Sequence, residues 1–349
     1  MAGYVGTIGR HDQGAQPSRL DRSRLPTGPN AETAPTCTAV HAARSRPALD
    51  MLSVPGVARG IMVRRILVAT DFSGRADRAM RRAGLLAKAG GARLEIVHVV
   101  DPDRPAALVE TEAALSRDLL DEQRGGLLDR FEIHSGTHLY EGEAFQGIAS
   151  AIGDLKPDLL VIGAYRRRLL HDTFVGTTAE RAIRRSGIPV LMVNTDAERP
   201  YVHVLAAVDL SADSASALTT TVDLGLTREA VLSVVYLFDA PASGSIALGS
   251  LSGNEIRSYV AEEEKLAATE LDAFLEYAGV VRAPRIVRPV AGKVSAGLKT
   301  VAGELGADLL VIGSGAGSGP ARMLLGSTAL DILAKSPRDV LVVPRAGRD

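Results

Sequence analysis

The amino-acid sequence predicts two tandem α/β units, each with a five-stranded parallel sheet, preceded by a long N-terminal extension. From Met62 onward, short runs of Val, Ile and Leu alternate with segments of helical period, a pattern typical of parallel strands joined by crossover helices. The same order then recurs, and both copies contain the hexapeptide Asp-Leu-Leu-Val-Ile-Gly, at 158–163 and at 308–313. A chain of 349 residues also has the length of about two domains, which agrees with a duplication.

Residues 1–61 differ in composition from the rest of the chain. They are rich in Gly, Pro, Ser, Thr and Arg and hold few large apolar residues, which predicts a disordered N-terminal extension. Because Met62 opens a strand as a natural N-terminus does, an over-extended gene start is one explanation and a genuine flexible tail is the other. We assign the first repeat to residues 62–197 and the second repeat to residues 198–349.

The elements of the first repeat follow from local patterns. Its apolar runs predict strands and its helical-period segments predict helices, the second of which is weakened by the pair Gly125-Gly126. The predicted strands are 65–70, 93–99, a short one near His138, 158–163 and 189–194, and the predicted helices are 73–89, 108–131, 144–155 and 176–185.

The second repeat has the same order but is longer before its third strand. Runs at 203–208, 232–238, 308–313 and 339–344 match the first, second, fourth and fifth strands. The offset between the repeats grows from 138 at Asp71 and Asp209 to 150 at Gly163 and Gly313, so that about twelve residues are extra. We assign them to 240–253 and the helix after it, 254–277, as either a mobile cover over the second site or a passive insertion.

Composition excludes several functions. The chain has 40 Lys and Arg against 41 Asp and Glu, so no overall field draws it onto nucleic acid or an anionic membrane. The single cysteine, Cys37, cannot form an intramolecular disulfide, which favours a reducing compartment. No apolar run reaches the ~18–20 residues of a spanning helix, and the N-terminus lacks the apolar core of a signal peptide. We therefore expect a cytoplasmic protein that binds neither nucleic acid nor membrane.

A ligand site is expected at one edge of each sheet. In a doubly wound sheet of order 3-2-1-4-5, ligands bind beyond the carboxyl ends of the adjacent first and fourth strands, where Asp71 and Gly163 lie. A carboxylate there accepts hydrogen bonds from an amine or a ribose hydroxyl, and Gly176-Thr177-Thr178 opens a helix whose amides suit an anion. Simpler explanations stay open: Gly163 serves a turn, Thr177 is an N-cap, and Asp71 caps the first helix along with Ser73.

The loop after the fourth strand resembles that of the universal stress protein family, whose nucleotide-binding members show Gly-x2-Gly-x9-Gly-(Ser/Thr). The first repeat reads Gly163-Ala-Tyr-Arg166, nine residues, then Gly176-Thr177. The second repeat reads Gly313-Ser-Gly-Ala316, nine residues, then Gly326-Ser327-Thr328. The resemblance extends from Met62 to Arg345, and the chain is identified as a tandem member of this family. It implies two Rossmann-like units.

The resemblance implies a stress-response regulator that binds an adenine nucleotide, ATP or AMP, with or without Mg²⁺. Carried over by position, the aspartate contacts the adenine end, an apolar residue flanks the base, and the glycines and hydroxyls hold the ribose and phosphates. In the first repeat these residues are Asp71, Val99, Gly163, Arg166, Gly176, Thr177 and Thr178; in the second they are Asp209, Leu237, Gly313, Gly326, Ser327 and Thr328. No catalytic residue and no metal site of the protein's own is predicted.

Both repeats depart from the family motif at its second glycine, which is Arg166 in one and Ala316 in the other. An arginine there either fills the site or supplies a phosphate contact. Because the loop 314–322 is small and rich in glycine, we favour the second repeat as the nucleotide site. A nucleotide-free scaffold that acts through protein partners, and a slow ATPase, stay as alternatives. The run Arg166–Arg168 is interpreted as a solvated loop, an anion contact or a patch for an acidic partner.

The last strand of each repeat is apolar, at 190–193 and at 340–343. Family members dimerise through this strand, so the resemblance predicts that the two strands pair within the chain. The chain is then its own pseudo-dimer, in which edges that would otherwise be exposed are covered. A further pairing of two chains into a homodimer stays open.

Overall fold

The computed structural model describes residues 63–164, 178–239, 253–290, 292–315 and 325–345. Both repeats belong to one compact unit, Leu49–Asp349; the other unit, Met1–Ala48, and with it the predicted disorder of 1–61, lies outside the described residues. The strands in the described part of the chain are β1 Arg65–Ala69, β2 Arg93–Val100, β3 Ser135–Glu141, β4 Leu159–Gly163, β5 Val190–Val193, β6 His203–Val208, β7 Val231–Asp239, β8 Arg285–Val290, β9 Leu309–Gly313 and β10 Asp339–Val343. The helices are α1 Gly74–Gly90, α2 Ala106–Phe131, α3 Ala144–Leu155, α4 Thr178–Arg185, α5 Ala212–Asp223, α6 Gly253–Tyr277, α7 Val294–Glu304 and α8 Ser327–Lys335.

The strands form one continuous sheet in the order β3-β2-β1-β4-β5-β10-β9-β6-β7-β8. Each half is parallel and has the order 3-2-1-4-5, as the sequence predicts. The halves join through β5 and β10, which pair antiparallel with Leu191 opposite Leu341. The predicted pairing of the last strands is therefore present within the chain.

The central strands are apolar on both faces because helices cover both faces. Ile66 and Val68 pack among α1 and α2, whereas Leu67 between them packs towards α3 and α4, as the two-residue period of a strand requires. All four residues of β5 are buried. The junction of the two repeats is therefore part of the hydrophobic core.

Serine caps fix where the first helix of each repeat begins. The side chain of Ser73 accepts a hydrogen bond from the backbone N of Ala76, and that of Ser211 accepts one from the backbone N of Ser214. Each cap satisfies a helix amide that has no partner within the helix. The caps start α1 and α5 directly behind Asp71 and Asp209, which places these carboxylates at the carboxyl edge of the sheet.

The helix α6 does not contain the extra residues of the second repeat, contrary to our assignment. It has 25 residues, whereas α2 has 26 and continues through Gly125-Gly126. Part of the insertion lies instead after α6, where residues 278–284 replace the shorter connection 132–134. The rest precedes α6, where residues 240–252 lie outside the described residues. The helix keeps its length because the same sheet face must be covered in both repeats.

Candidate functional site

The second repeat has a cleft at the carboxyl ends of its neighbouring strands β6 and β9. Its volume is ≈ 330 Å³, and its walls come from β6, β7 and β9 and from the first turns of α5, α7 and α8. The structure brings together at this cleft all six residues that the sequence predicts for the second repeat: Asp209, Leu237, Gly313, Gly326, Ser327 and Thr328.

Asp209 is an exposed carboxylate held in a fixed orientation at one end of this cleft. Its Oδ1 accepts hydrogen bonds from the backbone N of Ser211 at 3.1 Å and from Ser211 Oγ at 2.5 Å. The intervening Leu210 has φ 62, a left-handed conformation that non-glycine residues adopt at a cost and that is enriched at functional sites. Within the described part of the chain, Asp209 makes no ion pair, so its second oxygen is available to a ligand.

An apolar wall lies beside this carboxylate. Leu237 of β7 lines the cleft together with Leu298 and Ile312. Gly297 of α7 packs against Leu237, and a Cβ on this glycine would lie 2.9 Å from Leu237 Cδ1. The glycine therefore lets α7 come close enough to hold the leucine side chain against the cleft. Such a wall suits the face of a planar, weakly polar ring.

The opposite end of the cleft is the N-terminus of α8. Gly326 is the N-cap residue and provides no side-chain hydrogen bond, so the first amides of the helix lack a side-chain cap. A Cβ on Gly326 would lie 2.4 Å from the carbonyl oxygen of Gly315, which shows how closely the two ends of the 316–324 loop approach. Free amides and the positive end of the helix dipole favour an anion at this position. The loop itself, with Ala316, lies outside the described residues.

In the first repeat, Asp71 makes the same contacts with the serine two residues on as Asp209 does, but it also pairs with a cation, Arg75. Asp71 Oδ1 accepts hydrogen bonds from the backbone N and the Oγ of Ser73, and Arg75 Nη2 lies 3.3 Å from Asp71 Oδ2. Burial acts to raise the pKa of Asp71, but the hydrogen bonds from Ser73 and the charge of Arg75 outweigh it and lower the pKa. The simpler explanation, that Asp71 supports the start of α1 with Ser73, accounts for these contacts.

The equivalent of Arg75 in the second repeat has the opposite charge. It is Asp213, whose Oδ1 lies 3.1 Å from Nε of Arg345. Both residues of this pair lie near the cleft, and the pair leaves Asp209 unneutralised. Neither Asp213 nor Arg345 was among the residues predicted for this site. The sequence shows Asp213 as an acidic residue in the first turn of α5. Its partner Arg345 could not be identified in the same way, because it follows β10.

The space beside the fourth strand also differs between the repeats. A Cβ on Gly163 would lie 2.8 Å from the carbonyl carbon and oxygen of Arg75, whereas the nearest atom to a Cβ on Gly313 would be 3.9 Å away. The start of α1 therefore crowds the end of β4, and the start of α5 leaves room beside β9.

The remaining residues predicted for the first repeat are only partly described. Val99 packs against Gly147 of α3, where a Cβ would lie 2.5 Å from one of its methyl groups. Thr178 is the first residue of α4. Arg166, Gly176 and Thr177 lie outside the described residues, and the arrangement of this loop stays a prediction.

None of the helices in the described ranges has both the length and the apolar character needed to cross a membrane. In the same ranges, no three His, Cys, Asp or Glu side chains lie close enough to share a metal ion.

The fold and the paired carboxyl-edge positions define a tandem α/β protein with a cleft at the carboxyl edge of its second repeat. The universal stress protein family model matches residues 62–194 and 200–344. The chain therefore belongs to the universal stress protein family and contains two of its domains, which confirms the resemblance stated above.

Individual relatives agree with this assignment. The Thermus aquaticus protein "Universal stress protein in QAH/OAS sulfhydrylase 3'region" is 31% identical over 137 residues, which are 38% of this chain and 99% of the relative. A universal stress protein structure from Archaeoglobus fulgidus DSM 4304 has a TM-score of 0.60 and 18% identity, covering 82% of this chain and 97% of its own. The structure of a functionally unknown protein from Pseudomonas aeruginosa PAO1 has a TM-score of 0.55 and 21% identity, covering 81% and 93%. The two structures share the fold of the whole tandem.

Proposed function

We propose that this protein is a cytoplasmic stress-response regulator that binds an adenine nucleotide, ATP or AMP, in its second repeat. The observation that carries the proposal is the cleft that contains all six predicted residues, with a carboxylate at one end and the open N-terminus of α8 at the other. Its volume of ≈ 330 Å³ falls within the ~300–1,000 Å³ of small-molecule sites.

Each part of the cleft suits one part of the nucleotide. The free oxygen of Asp209 accepts a hydrogen bond from the adenine amine or a ribose hydroxyl, and Leu237 contacts the base. The amides that begin at Ser327 bind phosphate oxygens, since they combine free donors with the positive helix end. The carboxylate repels phosphate, so the two ends of the cleft favour a single orientation of the ligand.

The first repeat is proposed to be a degenerate site. Arg75 pairs with the carboxylate that would meet adenine, and α1 crowds the end of β4. The bound nucleotide would act by changing the surface of the second repeat that a protein partner contacts. Among the described residues that line the cleft, the carboxylate besides Asp209 is Asp213, which is paired with Arg345; we therefore propose binding without turnover.

Thermal unfolding of nucleotide-free protein with ATP or AMP tests the proposal. A ligand that binds only the folded state at a hundredfold excess over its Kd stabilises by about 2.7 kcal/mol, which gives a measurable rise in Tm. Gly326→Ala should abolish this rise, because the new Cβ would meet the carbonyl oxygen of Gly315. Asp209→Asn should reduce it, and the matched variant Asp71→Asn should leave it unchanged.

Other outcomes separate the alternatives. Absence of any shift at millimolar ATP would contradict the proposal and favour the scaffold. A shift lost in Asp71→Asn and kept in Asp209→Asn would place the nucleotide in the first repeat. Steady phosphate release that disappears in Asp209→Asn would favour a slow ATPase. Mass spectrometry of ligand released from the purified protein identifies any nucleotide it retains.

A further inference from the structure

A basic concavity lies at the other edge of the sheet in the first repeat, where β1 and β2 begin and α1 and α3 end. Its volume is ≈ 550 Å³, and its lining includes Arg64, Arg65, Arg93 and Lys156, with Asp158 as the carboxylate among the lining residues. We propose that this concavity is a binding site for an oligophosphate anion, separate from the nucleotide cleft.

Three of these cations are available to a ligand. Arg64, Arg93 and Lys156 are exposed, and within the described residues none of them makes an ion pair. Arg65 is partly engaged, because it donates a hydrogen bond to the carbonyl of Leu155 and its Nε lies 4.0 Å from Glu95 Oε1. The positive charge of the concavity therefore comes mainly from the three exposed side chains.

The carboxylate of the concavity has a structural task. Asp158 Oδ2 accepts hydrogen bonds from the backbone N of Arg64 at 2.7 Å and from the backbone N of Arg65 at 2.9 Å. It thereby fixes the start of β1 against the start of β4, and these contacts engage one of its two oxygens. One carboxylate leaves the site with a net positive charge.

Cations near helix C-termini also stabilise the helix dipole, and the second repeat shows that the fold does not need them for this purpose. At the positions equivalent to Arg64, Arg93 and Lys156 it carries Val202, Val231 and Gly306.

The second repeat nevertheless keeps the structural carboxylate. Asp308 replaces Asp158, and its two oxygens accept hydrogen bonds from the backbone N of Val202 at 2.9 Å and of His203 at 3.1 Å. The helices α5 and α7 thus end at the same edge with the backbone anchor retained and the three cations absent. The fold of this edge therefore does not depend on the three cations, which leaves them available to an anion.

The lining indicates which anion fits. Among its described residues the lining has no aromatic ring and only one large apolar residue, Val63, so these residues offer no surface on which a nucleobase would stack. Guanidinium and ammonium groups bind phosphate oxygens through charge-assisted hydrogen bonds. Three cations around one broad concavity match a chain of several phosphates better than a single phosphate ion.

Calorimetric titration with sodium tripolyphosphate tests this site. The triple variant Arg64→Val, Arg93→Val, Lys156→Gly installs the residues of the second repeat and should weaken binding at least tenfold. Lys156 has φ 46, so glycine suits its backbone conformation. The matched control removes three exposed cations elsewhere, by Arg117→Gln, Arg124→Gln and Arg282→Gln, and should keep the affinity within twofold. All titrations use the Gly326→Ala background, so that the probe does not enter the nucleotide cleft.

Three results would overturn the proposal: equal loss in the control, no binding at millimolar tripolyphosphate in low salt, or tighter binding of hexaglutamate than of tripolyphosphate. The single variant Arg93→Gln keeps a polar exposed side chain and should weaken binding several-fold. If the triple variant does not fold, a weaker affinity of Arg93→Gln for tripolyphosphate supports the proposal, and an unchanged affinity contradicts it.

Discussion

Arg82 and Asp339 form a buried ion pair between the two repeats, with Arg82 Nε 3.0 Å from Asp339 Oδ2 and side-chain exposures of 4% and 0%. The hydroxyl of Tyr201 donates to the same oxygen at 2.8 Å, and the backbone N atoms of Asn194 and Thr195 both donate to Oδ1 at 2.9 Å. The guanidinium also lies 3.9 Å from the centre of the Tyr201 ring. The helix α1, the strand β10 and the connection between the repeats are therefore tied at one carboxylate.

Asp339→Ala should destabilise the protein by about 3–5 kcal/mol, because it leaves the buried guanidinium of Arg82 without its counter-charge. Urea denaturation measures this change in the free energy of unfolding. The matched control is Asp196→Ala, which removes the partner of the neighbouring Arg81, since Asp196 is 66% exposed and such surface pairs contribute about 0–1 kcal/mol. Equal losses of unfolding free energy in the two variants would show that the buried pair stabilises the protein no more than the surface pair does.

Tyr201 should make stability fall at high pH. Burial and the charge of Asp339 raise the pKa of Tyr201 well above its usual value, against the opposing charge of Arg82. As pH rises beyond the usual tyrosine pKa of about 10, the unfolded state loses this proton before the folded state does. The stabilisation is complete below that pH and is lost above it.

Comparison with Tyr201→Phe isolates this effect. The variant should be less stable near neutral pH, because it loses a hydrogen bond to Asp339, and the gap to the unaltered protein should narrow as pH rises above about 10. The free energy of unfolding at several alkaline pH values measures the gap. A gap that stays constant would contradict the prediction.

Gly163→Ala should destabilise the protein more than Gly313→Ala, although the two glycines occupy equivalent positions in the repeats. The Cβ at 163 would lie 2.8 Å from backbone atoms of Arg75, which must move, whereas the Cβ at 313 has 3.9 Å to its nearest neighbour. We expect a loss of about 1–3 kcal/mol for the first variant, as for other overpacked sites, and about 0.5 kcal/mol or less for the second. Thermal unfolding of both variants measures the difference, and equal Tm values would refute it.

The contribution of Asp331 to the stability of the protein should be lost in acid. Hydrogen bonds from Lys335 and Ser295 lower the pKa of Asp331 to about 2, outweighing burial, and the charge of Lys299 assists them. The contribution of Asp331 to stability is present above its usual pKa of about 4 and is lost as pH falls towards 2.

The variant Asp331→Asn tests this dependence. Because Asp331 lies in α8 and its partner Ser295 in α7, the link joins two helices that line the cleft of the second repeat. The variant should be less stable than the unaltered protein near neutral pH, and the gap should close in strong acid. A gap that widens on acidification would contradict the stated direction.

The strand order, and the meeting of Asp209 and Gly313 at one edge of the sheet, were predictable because both depend on local patterns. The apolar runs mark the strands, and the repeated hexapeptide at 158–163 and 308–313 aligns the two halves. Parallel topology then brings Asp209 and Gly313 to the same edge, since they follow neighbouring strands. Chain order and periodicity suffice for these two positions, whereas Leu237, Gly326, Ser327 and Thr328 were implied by the resemblance to the universal stress protein family.

The electrostatic difference between the repeats was not predictable in this way. Whether Asp71 meets a cation depends on how the side chain of Arg75 turns, and the partner of Asp213 comes from the segment after β10. The crowding at Gly163 depends on about an ångström of spacing between a helix and a strand, and residue patterns do not encode such a distance. The pair Arg82 and Asp339 joins positions in different repeats, which periodicity within one repeat cannot detect.

The antiparallel pairing of β5 with β10 has an evolutionary consequence. In a dimer of identical chains, twofold symmetry makes every interface contact occur twice, so each mutation alters both halves at once. Here one polypeptide supplies both halves, and the positions equivalent to Arg82 and Asp339 are Thr220 and Pro189. After gene duplication, the two sides of this interface can therefore change independently, as in a heterodimer. Because both sides belong to one chain, they are always made in equal amounts.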